Sequence, residues 1–260
     1  MTMRRRSFLK IAGLGVAGAG VPVAGAIATA TAASRTEPGA GGPEAGKRWA
    51  MVVDERKCLT KEGCKACIQA CHRAHNVPTL ADPKHEVKWV WKERFANVFA
   101  DRVTPYMPAA AQERPMMVMC NHCENPPCVR VCPTQSTWKR ADGLVMMDMH
   151  RCIGCRYCVV ACPYGSRSFN FEDPRPAVVE PVDYPTRTKG VVEKCTFCAE
   201  RLAVGERPLC VEACEQIGCG ALVFGDVNDP NSAVSALLRD NDVARRKPEL
   251  GTSPHVFYIL

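Results

Sequence analysis

The spacing of its cysteines constrains this chain more than any other feature. Of 17 cysteines in 260 residues, all but one fall into four quartets. The two central quartets are Cys120, Cys123, Cys128 and Cys132, then Cys152, Cys155, Cys158 and Cys162. The latter reads C-x2-C-x2-C-x3-C-P and ends in Cys162-Pro163; the former ends in Cys132-Pro133 and has two extra residues in one gap. Cys58, Cys64, Cys67 and Cys71 lie upstream, and Cys195, Cys198, Cys210 and Cys214 lie downstream. Cys219 is left over.

The regular quartet is the run that holds cubane iron–sulfur clusters in bacterial ferredoxins. A cubane needs four thiolates converging from four directions. Three come from one tight loop, whose backbone N–H groups can face the sulfides. The fourth is expected where a helix begins, with proline in the first turn, and in two-cluster ferredoxins it ligates the other cluster. One inner cluster is thus expected on Cys120, Cys123, Cys128 and Cys162, the other on Cys152, Cys155, Cys158 and Cys132. A disulfide framework is the first alternative, but disulfide-dense domains are usually small and lack repeated loops of this kind. Zinc is the second, but zinc sites usually pair two CxxC knuckles without a third cysteine two residues on. Either scaffold would be colourless.

Aromatic residues make up only 7% of the chain, and proline is abundant. This fits a loop-rich fold nucleated by cofactors. Residues 1–33 read as an export signal outside the fold. Arg4-Arg5-Arg6-Ser7-Phe8-Leu9-Lys10 is a twin-arginine motif, followed by an apolar Gly/Ala-rich stretch and A-x-A cleavage sites at Ala28 to Ala33. About 20 apolar residues could span a bilayer, but the stretch is mostly small and contains Pro22, so cleavage is expected. The twin-arginine route exports folded proteins, which suits clusters inserted before export. The formal charge is +7. Removing the signal leaves about +3, and four oxidised cubanes with their thiolates bring the total to roughly −5. Nucleic-acid binding is therefore not indicated, and no basic run with interleaved aromatics is present.

Residues 34–48 read as a flexible leader. Trp49 to Asp54 is a predicted strand entering the first cysteine loop. The gap from Cys58 to Cys64 is x5 where the ferredoxin run has x2. Either the loop is longer and Cys58 still reaches the cluster, which is the expectation, or that cluster is incomplete. Cys67 to His72 reads as a helix start. Val87 to Lys92 alternates as a strand, with Trp89 and Trp91 expected in the core. Met116 to Met119 is a strand, and 136–148 a hairpin turning at Ala141-Asp142-Gly143. Residues 163–190 read as surface loop. Ala221 to Phe224 is a closing strand and Ser232 to about Arg239 a short amphipathic helix. The apolar end, 256–260, either packs back on the domain or docks on a neighbour. Local packing is expected for the six histidines, including His122 beside Cys123. No catalytic triad, phosphate loop, dinucleotide fingerprint or CxxCH haem motif stands out. Cys219 reads as a free buried thiol.

The four-quartet layout resembles the four-cluster iron–sulfur subunits of the dimethyl-sulfoxide-reductase, nitrite-reductase and polysulfide-reductase type, over residues 49–260. Its marks are the quartets, Glu193-Lys194-Cys195-Thr196-Phe197-Cys198, Cys210-Val211-Glu212-Ala213-Cys214, Phe224-Gly225-Asp226 and Glu249-Leu250-Gly251-Thr252. The resemblance implies an α+β fold of two ferredoxin-like 2[4Fe-4S] modules with pseudo-two-fold symmetry, loop-rich and with insertions. The inner module would be 116–163 and the outer module 49–75 plus 191–226. It also implies swapped fourth ligands in the outer pair: Cys58, Cys64, Cys67 and Cys214 for one cluster, Cys195, Cys198, Cys210 and Cys71 for the other. The signal, the long Cys58 loop, Lys88 to Glu93 and Asn121 to Pro127 resemble the branch found with sulfite reductase in a transmembrane complex. The partners so implied are a polytopic quinone-interacting membrane subunit and a periplasmic multihaem cytochrome c. The expected role is single-electron relay, without substrate chemistry. A catalytic subunit with an open iron site is the rival reading, and only Cys58 leaves room for it.

Overall fold

A computed structural model of the chain describes residues 46–179 and 181–260. The expected signal, and the leader as far as residue 45, lie outside the described residues. In chain order, β1 (Trp49–Asp54) is followed by α1 (Glu55–Leu59), α2 (Ala66–Ala74), β2 (Val90–Arg94), α3 (Phe95–Val98), α4 (Ala109–Glu113) and β3 (Pro115–Met119). Next come α5 (Pro127–Arg130), β4 (Thr137–Lys139), β5 (Val145–Met147), α6 (Tyr157–Ala161), β6 (Ser168–Phe169) and β7 (Val192–Glu193). The chain ends with α7 (Ala199–Leu202), α8 (Leu209–Gln216), β8 (Leu222–Asp226), α9 (Ala233–Asp240) and β9 (Val256–Ile259). This is a mixed helix-and-strand fold with small sheets, consistent with a ferredoxin-like dicluster domain. Among the described residues no helix is long and apolar enough to cross a membrane.

β1 organises the fold because it is covered on both faces. It pairs antiparallel with β8 and parallel with β9. Side chains alternate across a strand, so Met51 and Val53 join the main core with Cys67, Cys71 and Cys214. Ala50 and Val52 face the other way, against Val234, Phe257 and Ile259. Helix α9 covers that second face. Its start is fixed by Ser232, whose Oγ accepts the Ser235 N–H at 3.1 Å, a cap worth about 1 kcal/mol. The apolar C-terminus therefore packs back on its own domain. β2 pairs with β3, setting Trp91 opposite Val118, and both Trp89 and Trp91 are buried as expected.

Three expectations change. Cys132 and Cys162 do not open helices. One-turn helices α5 and α6 carry the third cysteines, Cys128 and Cys158, and the fourth cysteine follows them, Cys162 in extended conformation. Pro133 and Pro163 therefore stand just beyond helices, where a chain that cannot continue the helix often turns. The helix expected to start at Cys67 to His72 forms as α2, which begins at Ala66. Residues 163–190 are not simply surface: Tyr164, Ser166, Arg167, Asn170 and Arg187 are buried. Finally, Arg48 at the end of the expected leader is fixed. Its backbone N–H donates to Asp226 at 2.8 Å and its guanidinium pairs with Glu124 at 2.9 Å. That side chain lies across Gly143, where an added Cβ would sit 1.1 Å from Arg48 and where φ is +84°, so the expected hairpin turn needs glycine twice over.

Candidate metal centres

Residues three or four apart on a helix share a face. Cys67 and Cys71 are so placed on α2, and Cys210 and Cys214 on α8. The two helices pack against each other, which brings cysteines from opposite ends of the sequence together. Cys58, Cys64, Cys67 and Cys214 line one void, with Met117, Cys219 and Leu222. The x5 gap closes as successive turns. Asp54 caps α1, the Lys61 N–H donates to the Cys58 carbonyl at 3.2 Å, and the Cys64 N–H donates to the Lys61 carbonyl at 3.1 Å. The structure thus brings Cys58 to the void despite the longer spacing.

Cys71, Cys195, Cys198 and Cys210 are all buried. Burial, and then their mutual proximity, pushes Cys71 and Cys210 well above the ordinary thiol range. Cys120, Cys123, Cys128 and Cys162 line a second void, with Tyr164 and Arg167. Cys158 and Cys152 pack in one cluster with Cys128 and Val192, while Cys155 is exposed. Gly154 beside it has φ +69°, and a Cβ there would meet the Gly190 carbonyl at 2.3 Å. Cys132 is held by Ser136 at 3.2 Å and Thr134 at 3.6 Å. Burial opposes its ionisation, but those hydroxyls and nearby backbone N–H groups outweigh it and bring the thiol down to about 7.

The donor set fits iron–sulfur clusters. Burial first pushes Cys58, Cys67 and Cys123 up to about 12, followed by Glu55 at Cys58 and by neighbouring thiols at Cys67 and Cys123. A coordinating metal deprotonates such thiols outright. No disulfide joins any of the cysteines.

Two buried cations complete the sites: Lys194 lies in a motif that marks the resemblance, whereas Arg167 has no signal in the sequence pattern. Arg167 donates to the Cys128 sulfur at 3.1 Å and to Thr137 at 2.7 Å. Lys194 is fully buried; its ammonium donates to the carbonyls of Val145 and Cys195, the latter at 2.8 Å. Among the described residues neither pairs with a carboxylate. The neighbouring Glu193 is already committed to Arg187 at 2.6 Å, Trp89 at 2.7 Å and Asn170 at 2.7 Å. A buried charge needs a counter-charge, and here the thiolates of Cys120, Cys128 and Cys195 are the groups nearby.

His75 is a further residue that the sequence pattern does not single out. Its ring stacks on Trp89 and pairs with Glu200 at 2.9 Å beside Cys198. Burial opposes its protonation, but Cys198 and Glu200 outweigh that and lift it to about 9. His122 packs locally as expected: its Nδ1 accepts the Val145 N–H at 3.0 Å and its ring stacks on Phe197 at 3.9 Å.

Residues 115–175 match the family described as a 4Fe-4S dicluster domain. The chain is 47% identical over 232 residues to the Hdr-like menaquinol oxidoreductase iron-sulfur subunit 1 of Archaeoglobus fulgidus, covering 82% of this chain and 83% of the relative. It is 35% identical over 240 residues to the iron-sulfur cluster-binding subunit of the menaquinone reductase of Nitratidesulfovibrio vulgaris, covering 82% and 88%. It is 35% identical over 214 residues to one component of the polysulfide reductase of Wolinella succinogenes, covering 82% and 94%.

Proposed function

Because this protein belongs to the family of iron–sulfur electron-transfer subunits of multi-subunit reductase complexes, we propose that it relays single electrons through four [4Fe-4S] clusters, between a quinone-linked membrane subunit and a periplasmic redox partner such as a cytochrome c. It is an electron-transfer subunit, and in such complexes the substrate chemistry is carried by other subunits.

One observation carries the cluster assignment. Each of the two voids is lined by three cysteines of one quartet and the last cysteine of another, Cys214 beside Cys58, Cys64 and Cys67, and Cys162 beside Cys120, Cys123 and Cys128. The reciprocal sets are then Cys195, Cys198, Cys210 and Cys71, and Cys152, Cys155, Cys158 and Cys132. Two modules related by a pseudo-two-fold axis follow from that exchange. Each cluster, when bound, accepts and passes on one electron. The residues of this chain fix its position and potential. The cysteines ligate, the opposed helices α2 and α8 hold one pair of sites together, and Arg167 and Lys194 offset the negative charge. Cys155, exposed among Ile153, Tyr157 and Val160, marks the site nearest solvent and so a port for electrons.

The finer reading is the periplasmic iron–sulfur O subunit of the Dsr transmembrane complex, exported by the twin-arginine route. It would sit at the outer face of the cytoplasmic membrane through a partner subunit. The signal motif and the 47% identity to a menaquinol oxidoreductase subunit support it. The second reading is the corresponding subunit of a nitrite, polysulfide or molybdenum reductase, favoured by the similarity to the polysulfide reductase component. The test is EPR of the clusters after adding a menaquinol analogue under anaerobic conditions. Reduction is expected in membranes carrying the whole complex and not in the isolated chain. Equally fast reduction of the isolated chain would overturn the assignment of quinone chemistry to a partner.

A further inference from the structure

We propose that Cys219 is a fifth thiol at the Cys58 site and shares one ligand position with Cys58. The inference rests on the cluster reading above. Five cysteines line the void there: Cys58, Cys64, Cys67, Cys214 and Cys219. The void between Cys120 and Cys162 has four. A cubane has four irons, so Cys64, Cys67 and Cys214 leave one iron with two candidate thiols.

The local structure aims Cys219 at this position. Helix α8 ends at Gln216, and Gly218 and Gly220 both take the left-handed conformation, with φ of +67° and +58°. The chain folds back so that the N–H groups of Cys219 and Gly220 both donate to the Cys214 carbonyl, at 3.1 and 3.2 Å. Cys219 is thereby held beside a proposed ligand of the same cluster. Its sulfur lies 3.6 Å from the carbonyl of Lys57, the residue before Cys58, and close enough to Cys58, Cys64 and Cys214 for the charges of the thiolates to interact. Cys58 and Cys219 therefore reach the same end of the void from opposite ends of the sequence. Cys58 stands on a five-residue helix and, like Cys64 and Cys219, is only half-buried.

The exchange is redox-neutral. Cys219 gives up its proton as its sulfur bonds to iron, and Cys58 takes up a proton as its bond to the same iron breaks. No oxidant or reductant is needed. A site with a reserve thiol keeps its cluster when one of the two ligands leaves.

The test uses full-length holoprotein purified anaerobically, as wild type, Cys58→Ala, Cys219→Ala and the double variant. Iron, sulfide and EPR are measured for each. Each single variant is expected to keep its four-iron cluster, held by the remaining thiol, with the EPR signal of that cluster shifted from the wild-type one. The double variant should lose about one iron per chain and show a three-iron-cluster signal. A single variant that loses as much as the double variant overturns the proposal, since the position would then belong to one thiol alone. Wild-type protein needs no substitution for a second reading. Anaerobic alkylation followed by peptide mass spectrometry is expected to divide its label between Cys58 and Cys219, and label on Cys219 alone would contradict exchange. Wild-type protein without sulfide would overturn the cluster reading as a whole, a result distinct from any difference among the variants.

Discussion

At the scale of single residues, the charges around the cysteines matter as much as the thiols. Removing Arg167 takes a cation from beside the Cys128 sulfur, so the more negative, reduced cluster loses more stabilisation than the oxidised one. A hydrogen bond to a charged group contributes about 1.5–3 kcal/mol. For a one-electron couple, that bounds the shift at roughly 60–130 mV. Arg167→Gln is expected to lower one cluster potential by up to that amount in an EPR-monitored titration, and Arg167→Lys to restore most of it; an unchanged potential would deny the charge this role. Glu55 gives a pH test. Burial pushes its carboxyl from 4.5 up to about 7, partly opposed by the Met117 N–H, Arg114 and Lys92. The folded state holds a proton that the unfolded chain releases, so this contribution is full below the unfolded pKa and is lost as pH rises through about 7. The Tm of the holoprotein is expected to fall between about pH 5 and pH 8, and Glu55→Gln to flatten that fall. An equal slope in the variant would show that Glu55 is not the cause. Sequence made the thiols legible because their chemistry lies in local spacing. Arg167 was hidden in a proline-rich stretch that reads as surface, and only its approach to a cysteine in another quartet reveals it. His75 gave no signal beyond a lone histidine near Cys71.

At the scale of elements, the strands were the most legible because their alternation is local: Trp49–Asp54, Pro115–Met119 and Leu222–Asp226 lie where the pattern put them. The one-turn helices were not legible, since four residues carry too little period, and the fourth cysteines of the two inner quartets consequently fall after helices and not before them. The opposed pair α2 and α8 gives the sharpest prediction at this scale. Cys67 and Cys71 share a helix but belong to different proposed clusters, as do Cys210 and Cys214. Cys214→Ala should therefore alter the same EPR signal as Cys64→Ala, and Cys71→Ala the same signal as Cys195→Ala. If Cys214→Ala instead alters the signal that Cys195→Ala alters, the exchange of fourth ligands between the outer quartets is wrong.

At the scale of the whole molecule, the fold depends on its cofactors. The main core contains cysteines from the quartets beside Met51, Met116 to Met119 and Tyr258, and Lys194 is buried fully without a carboxylate partner among the described residues. A protein that buries cations against thiols needs those thiols ionised and bound. Apoprotein should therefore lose compact structure along with its iron. The measurement that tests the central claim most directly is the iron, sulfide and zinc content of the anaerobically purified protein, with EPR across a reductive titration. Four clusters predict about sixteen irons and sixteen sulfides per chain, with interacting cubane signals. Zinc without sulfide would contradict the electron-transfer account altogether.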